Sequence, residues 1–129
     1  MAASDAGAFL SGYPAPVEKT ALALRATILA ALKDVEETVD PPDRVIGYGF
    51  ASGYAGLICT IIPSRTGVKL GIVNSATLPD PDGLLEGAGK RHKYVAVKDP
   101  AAAKSAALTA LLKTAHAAWK KRSKRQREL

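Results

Sequence analysis

Residues 45–64, VIGYGFASGYAGLICTIIPS, form the stretch that decides the fold, because these twenty residues carry no charge. The run is long enough to be tested as a membrane-spanning helix. We reject that interpretation because it holds four glycines, ends at Pro63 and carries the flexible group Ala51-Ser52-Gly53 near its middle. The pattern instead predicts two buried strands, near 46–50 and 54–62, joined by a turn.

The segments on either side of this pair predict further strands. Residues 68–73 follow a short turn and complete a meander, since strands joined by short turns pair antiparallel. Residues 36–40 alternate in polarity and predict a short edge strand that Pro41-Pro42 must end. Residues 92–97 alternate in the same way, so we expect an antiparallel sheet of about five strands.

Two helices are predicted, one on each side of the strands. The first extends from about Pro16 to Lys33, and the second begins at Asp99-Pro100 and extends to about Arg122. Each helix has one apolar stripe, which in the first consists of Val17, Ala21, Leu24, Ile28 and Leu32. The sequence therefore predicts an α+β fold, a two-layer sandwich with both helices packed on one face of the sheet.

The chain has 129 residues and a mass of 13.4 kDa, which fits one domain. We expect an N-terminal segment over 1–12, the domain over 13–119 and a basic tail over 120–129. One cysteine, Cys59, excludes a disulfide framework and a cysteine-rich zinc site, and its apolar strand predicts a core residue. The first residues lack the parts of a signal peptide, so we expect a cytoplasmic protein.

Positive charge is concentrated at the C-terminus. The net charge is +6, and without residues 120–129 it falls to +1. We expect this tail to be frayed or disordered beyond Trp119. Two interpretations stay open, a solvated tail without a partner or a weak, salt-sensitive contact with nucleic acid or another polyanion. The basic residues are Lys120, Lys121, Arg122, Lys124, Arg125 and Arg127.

Negative charge is concentrated in residues 34–43, which contain five carboxylates and no lysine or arginine. Such a run is usually a solvated edge, but carboxylates without compensating cations also hold hard metal ions. Strand geometry places Glu36 and Asp40 on one face. The candidate metal ligands are Asp34, Glu36, Glu37, Asp40 and Asp43.

A glycine-rich segment, residues 83–90, has some features of a phosphate-binding loop. It fails as one because Arg91 stands where Ser or Thr should hold magnesium and because a strand follows. It predicts either a plain turn or a small anion-binding corner formed by Gly87, Gly89, Lys90, Arg91, His92 and Lys93. His92 and His116 have no carboxylate or thiol at ligand spacing, and no nucleophile–base pair is evident, so we expect no enzymatic activity.

Residues 78–92, LPDPDGLLEGAGKRH, resemble the YdhG-like family, which is catalogued as a domain of unknown function. The early Tyr13-Pro14, the Glu36-Glu37 pair and the closing Asp-Pro helix occur in the family's order, so the resemblance covers about Tyr13 to Trp119. It implies a layering similar to that of frataxin. Some members are described as iron chaperones that pass ferrous iron to iron–sulfur or haem synthesis.

The resemblance thus implies weak Fe(II) binding at the acidic residues 34–43, with no cofactor required and with iron–sulfur or haem biosynthesis proteins as partners. The alternative is an interaction module that binds nucleic acid or another polyanion through the basic tail. We expect no membrane association and either a monomer or a homodimer.

Overall fold

The computed structural model describes residues 5–50, 56–87, 89 and 91–128, with side chains described as far as Lys124. Its sheet has five antiparallel strands in sequence order, β1 (Glu36–Asp40), β2 (Val45–Gly49), β3 (Leu57–Pro63), β4 (Val68–Ile72) and β5 (Lys93–Val97). The helices are α1 (Ala6–Leu10), α2 (Ala15–Ala31), α3 (Pro100–Ala103) and α4 (Ala106–Glu128). The predicted meander of about five strands is confirmed.

One core lies between the sheet and the helices. Pairing across the sheet aligns Ile46, Ile61, Leu70 and Val95 in one row, and all four side chains are buried. The helices close this face with buried leucines and isoleucines, Leu24 and Ile28 of α2 and Leu108 and Leu112 of α4. Each such side chain contributes about 1.5–3 kcal/mol when fully buried. The opposite face carries the exposed Thr38, Lys69 and Ala96, which confirms the two-layer α+β sandwich.

The first strand of the charge-free run, β2, ends one residue earlier than predicted. The pairing of β2 with β3 shifts between Tyr48 and Gly49, and a Cβ built on Gly49 would lie 2.5 Å from the carbonyl oxygen of Gly56. Only glycine permits this approach of two backbones. The predicted turn at 51–53, and Tyr54 with it, lie outside the described residues.

The N-terminal segment belongs to the domain, which corrects the predicted boundary at residue 13. Helix α1 is only one turn and a half long, but Ala6 and Leu10 are fully buried in the common core. A helix this short gives little periodic signal in a sequence.

The second predicted helix is divided in two. Helix α3 ends at Ala103, and α4 begins at Ala106, where the Leu108 N–H donates to Ser105 Oγ. This contact caps the new helix start. The C-terminal segment is helical to Glu128 instead of frayed after Trp119, because its lysine, arginine and glutamine residues are all good helix formers.

Within the described residues, the loop between β4 and β5 pairs with β5 at a single residue, Glu86. Glu86 forms a two-bond bridge with Tyr94 of β5, with N···O distances of 2.7 and 3.1 Å. Just before it, the Asp80 carboxylate accepts hydrogen bonds from the N–H groups of Leu84 and Leu85. Of the helices in the described part of the chain, none is long and apolar enough to cross a membrane.

Candidate functional site

The acidic residues of the predicted metal site lie along the whole of β1. Glu36 and Asp40 share the face of the strand that points away from the helices, but they are four positions apart along it. At about 3.3 Å per residue their Cα atoms lie about 13 Å apart, whereas one cation needs all its oxygens within about 2.6 Å. Asp43 follows in the turn, where its N–H donates to Asp40 Oδ1 at 3.3 Å.

Glu37 points to the opposite face and is already paired, which corrects its assignment as an uncompensated ligand. Arg25 of α2 donates to it twice, from Nε at 2.7 Å and from Nη2 at 2.9 Å. The Tyr48 hydroxyl donates to the same carboxylate at 2.7 Å. The Glu37 side chain is 7% exposed. Its charge therefore connects α2 to the sheet.

The pKa values of both partners respond to this arrangement. Burial, together with the hydrogen bond to Glu37, raises the pKa of the Tyr48 phenol well above its usual value. The hydrogen bond to the same carboxylate raises the pKa of the Arg25 guanidinium. The phenol therefore stays protonated and the guanidinium stays charged in the folded protein.

In the described part of the chain, no group of three or more His, Cys, Asp and Glu side chains is arranged to hold a metal ion. Asp34, which has a positive φ of 65° just before β1, is exposed, as are Glu36 and Asp43. Ferrous-iron binding stays a prediction of the family resemblance, limited to these exposed carboxylates and Asp40.

Unlike the acidic residues, some of the basic residues lie close together, and the first of these, Arg91, is in a loop held by hydrogen bonds. Two segments, 72–77 and 91–93, are fastened by hydrogen bonds centred on Ser75, which is 1% exposed. Ser75 Oγ donates to the Ile72 carbonyl and accepts from the Lys93 N–H, each at 2.7 Å. The Ala76 N–H donates to the Arg91 carbonyl at 3.2 Å. Because these contacts fix its backbone, Arg91 has a defined position beside α4.

A groove of about 400 Å³ lies between this fastened loop and α4. We call it the basic groove, and its lining residues are Asn74, Ala76, Thr77, Arg91, Ala118, Lys121 and Arg122. Three of them are cations, and no acidic side chain lines the groove among the described residues. On α4 the groove residues are spaced i, i+3 and i+4, so they share one helix face. This is an electropositive, concave surface.

Of the described residues of the predicted anion-binding corner, Arg91 alone lines this groove. His92 Nδ1 instead accepts a hydrogen bond from the Asn74 N–H at 2.9 Å. The two glycines serve close packing, since a Cβ on Gly87 would touch the Tyr94 ring and one on Gly89 would clash with the carbonyl oxygen of His92. Lys93 contacts the loop through its backbone N–H, which donates to Ser75 Oγ. The Lys90 residue lies outside the described residues.

Of the predicted basic tail, too, some residues line the groove and others do not. Lys121 and Arg122 line the groove, while Lys120 and Lys124 are exposed on α4. The side chains of Arg125 and Arg127 lie outside the described part. Sequence reasoning missed the groove because it depends on contact between residues that are distant along the chain. The signal available was two separate basic clusters of the same sign.

Cys59 and His116, the two other residues considered as candidates, both pack against neighbouring side chains. Cys59 is fully buried in β3, as predicted, and burial raises the pKa of its thiol. His116 of α4 stacks on Phe50 with ring centroids 4.3 Å apart. Burial, with a smaller contribution from Lys120, lowers the pKa of its imidazole.

Comparisons of the chain with protein-family models, with curated proteins and with solved structures returned no match. The resemblance to the YdhG-like family therefore stays a prediction.

Proposed function

We propose that this chain is a non-enzymatic, cytoplasmic domain that binds nucleic acid through the basic groove. The observation that carries the proposal is the placement of Arg91 beside Lys121 and Arg122. Phosphate contacts by lysine and arginine supply most of the sequence-independent affinity for nucleic acid.

The shape of the groove supports a polymer as ligand. Helix α4 continues past the groove to Glu128, and Lys120 and Lys124 are exposed on it. A strand of nucleic acid that enters at Arg91 therefore has further cations along the same helix. The loop side of the groove is fixed by the Ser75 contacts, so the binding surface needs little ordering when the ligand arrives.

The experiment is a binding titration with a labelled single-stranded oligonucleotide, followed by fluorescence anisotropy over a series of salt concentrations. Each phosphate contact contributes about 0.7 to the slope of log affinity against log salt for single strands. Three groove cations therefore predict a slope contribution of about −2. Arg91→Gln, Lys121→Gln and Arg122→Gln should each weaken binding about fivefold at low salt and reduce the slope by about 0.7.

Lys113→Gln is the matched control, because Lys113 lies on α4 but lines a different groove, against α2. It should bind as the unaltered protein does. If Arg91→Gln binds with an unchanged affinity and salt slope, the loop side of the groove is not a contact surface and the proposal fails. Binding of heparin but not of any oligonucleotide would also refute nucleic acid as the ligand.

A further inference from the structure

A second cavity lies at the other end of the β4–β5 pair from the basic groove. It has a volume of about 350 Å³ and is enclosed by the start of α2, the β3–β4 turn and the residues that follow β5. Its apolar lining consists of Ala15, Pro16, Val17, Val68, Val97 and Pro100. Small-molecule sites typically have volumes of about 300–1,000 Å³ and mostly apolar walls with a few placed polar groups. The cavity lies at the lower end of this range.

The first polar element of this cavity is the start of α2. The first N–H groups of any α-helix have no partner within the helix. In α2 the N-cap position is occupied by Pro14, and no side chain caps the helix start. Pro14 and Pro16 have no N–H, so the free donors at this helix start are the N–H groups of Ala15 and Val17, and both residues line the cavity. The helix dipole adds a partial positive charge at this point.

The second polar element is Thr20, one turn further along α2. Thr20 lines the cavity and is only 4% exposed. Among the described residues its hydroxyl has no hydrogen-bond partner. In the same part of the chain no fully buried side-chain oxygen or nitrogen lacks a partner, so the Thr20 oxygen faces the open cavity. A nearly buried hydroxyl without a protein partner is costly unless something else bonds to it.

The charges around the cavity are mainly positive. Lys19 and Lys98 border it. Asp99 also lies there, but its Oδ1 accepts from the Ala102 N–H at 2.8 Å and caps α3. The cavity therefore combines apolar walls with N–H and O–H donors and bordering cationic side chains.

We propose that this cavity binds a small amphipathic acid, with one anionic group on an apolar body. The anionic group accepts hydrogen bonds from the start of α2 and from the Thr20 hydroxyl, near Lys19 and Lys98. The apolar body lies against Val68 and Val97. The site is independent of the basic groove, so either can fail without the other.

The test is an amide NMR titration of the full chain with hexanoate, hexyl phosphate, hexanol and hexylamine as probes. Both anionic probes should give saturable shifts confined to residues 15–20, 66–68 and 97–100, whereas hexanol and hexylamine should bind at least about tenfold more weakly. Which anion binds more tightly identifies the acid group.

Thr20→Val should weaken hexanoate about tenfold, since it removes a hydrogen bond to a charged group. Thr20→Ser keeps the hydroxyl and should restore most of the affinity, which separates the hydrogen bond from any effect on folding. Lys98→Gln should weaken binding about threefold. Lys33→Gln, an exposed lysine beyond the opposite end of α2 from the cavity, should have no effect.

Equal binding of hexanol and hexanoate would overturn the proposal, as would shifts outside these three segments. The same holds if Thr20→Val is folded by circular dichroism and binds hexanoate as tightly as the unaltered chain.

Discussion

Replacement of Arg25 by methionine should destabilise the protein strongly, although Arg25 is partly exposed. Methionine keeps most of the apolar stem but removes both hydrogen bonds to Glu37, whose side chain is only 7% exposed. Breaking a buried ion pair costs about 3–5 kcal/mol because one charge is left without compensation. Since the Arg25 side chain is 34% exposed, water can enter the vacated space, and we expect a loss of about 2–3 kcal/mol.

The loss is measured by urea unfolding followed by far-UV circular dichroism, with Arg65→Met as the control. Arg65 is an exposed arginine in the β3–β4 turn, and its replacement should change the free energy of unfolding by less than about 0.5 kcal/mol. In the double variant, Glu37→Leu should recover part of the loss caused by Arg25→Met, because the unpaired charge is gone. A loss of less than about 0.5 kcal/mol for Arg25→Met would place this pair with ordinary surface salt bridges and refute the reasoning.

Three further predictions follow from groups already described. The Cys59 thiol, which is fully buried with a raised pKa, should react with an aromatic disulfide reagent only after unfolding, and rapid labelling of the native protein would contradict its burial. Because burial lowers the folded-state pKa of His116, the unfolded chain binds its proton first. The stability that His116 contributes is complete above its ordinary pKa of about 6.5 and is lost as pH falls below it. The decrease in Tm from pH 7 to pH 5 should therefore be smaller in His116→Gln than in the unaltered protein. An equal decrease in both proteins would show that His116 does not contribute to the pH dependence of stability. Anaerobic Fe(II) should broaden amide signals near Glu36 and Asp40 if the family resemblance holds, and Glu37→Gln should leave that pattern unchanged. Broadening spread evenly over the surface would refute an iron site.

The sheet was predictable because its strands are short, alternate in polarity and follow one another through turns. The alternation also places Glu37 on the face opposite Glu36 and Asp40, a sign that these carboxylates do not converge. Its pairing with Arg25 was not predictable, since that contact depends on how α2 lies on the sheet. A count of charges along the chain treats Glu37 as uncompensated, whereas the fold supplies its cation from a helix.

For the C-terminal segment, the sequence predicted disorder where the structure has a helix. Its positive charge suggested a disordered tail, but lysine and arginine extend a helix that begins in the core. The basic groove could not be predicted because it requires Arg91 to lie beside Lys121, and the loop is held there by hydrogen bonds between segments 72–77 and 91–93 that the sequence does not show. The hydrophobic pattern thus predicted the layers, while the sites depend on polar contacts between distant segments.

The network of Arg25, Glu37 and Tyr48 also helps to fix the register in which β1 pairs with β2. Strand β1 has only Val39 between its ends to bury against the helices, so apolar side chains alone specify its position poorly. A slip of one residue would turn Glu37 towards water and leave the guanidinium and phenol without their acceptor. The network therefore penalises misaligned pairing and holds β1 on β2. If β1 detached, the more apolar edge of β2 would be open to a strand from a second molecule, which is how many β-proteins begin to aggregate.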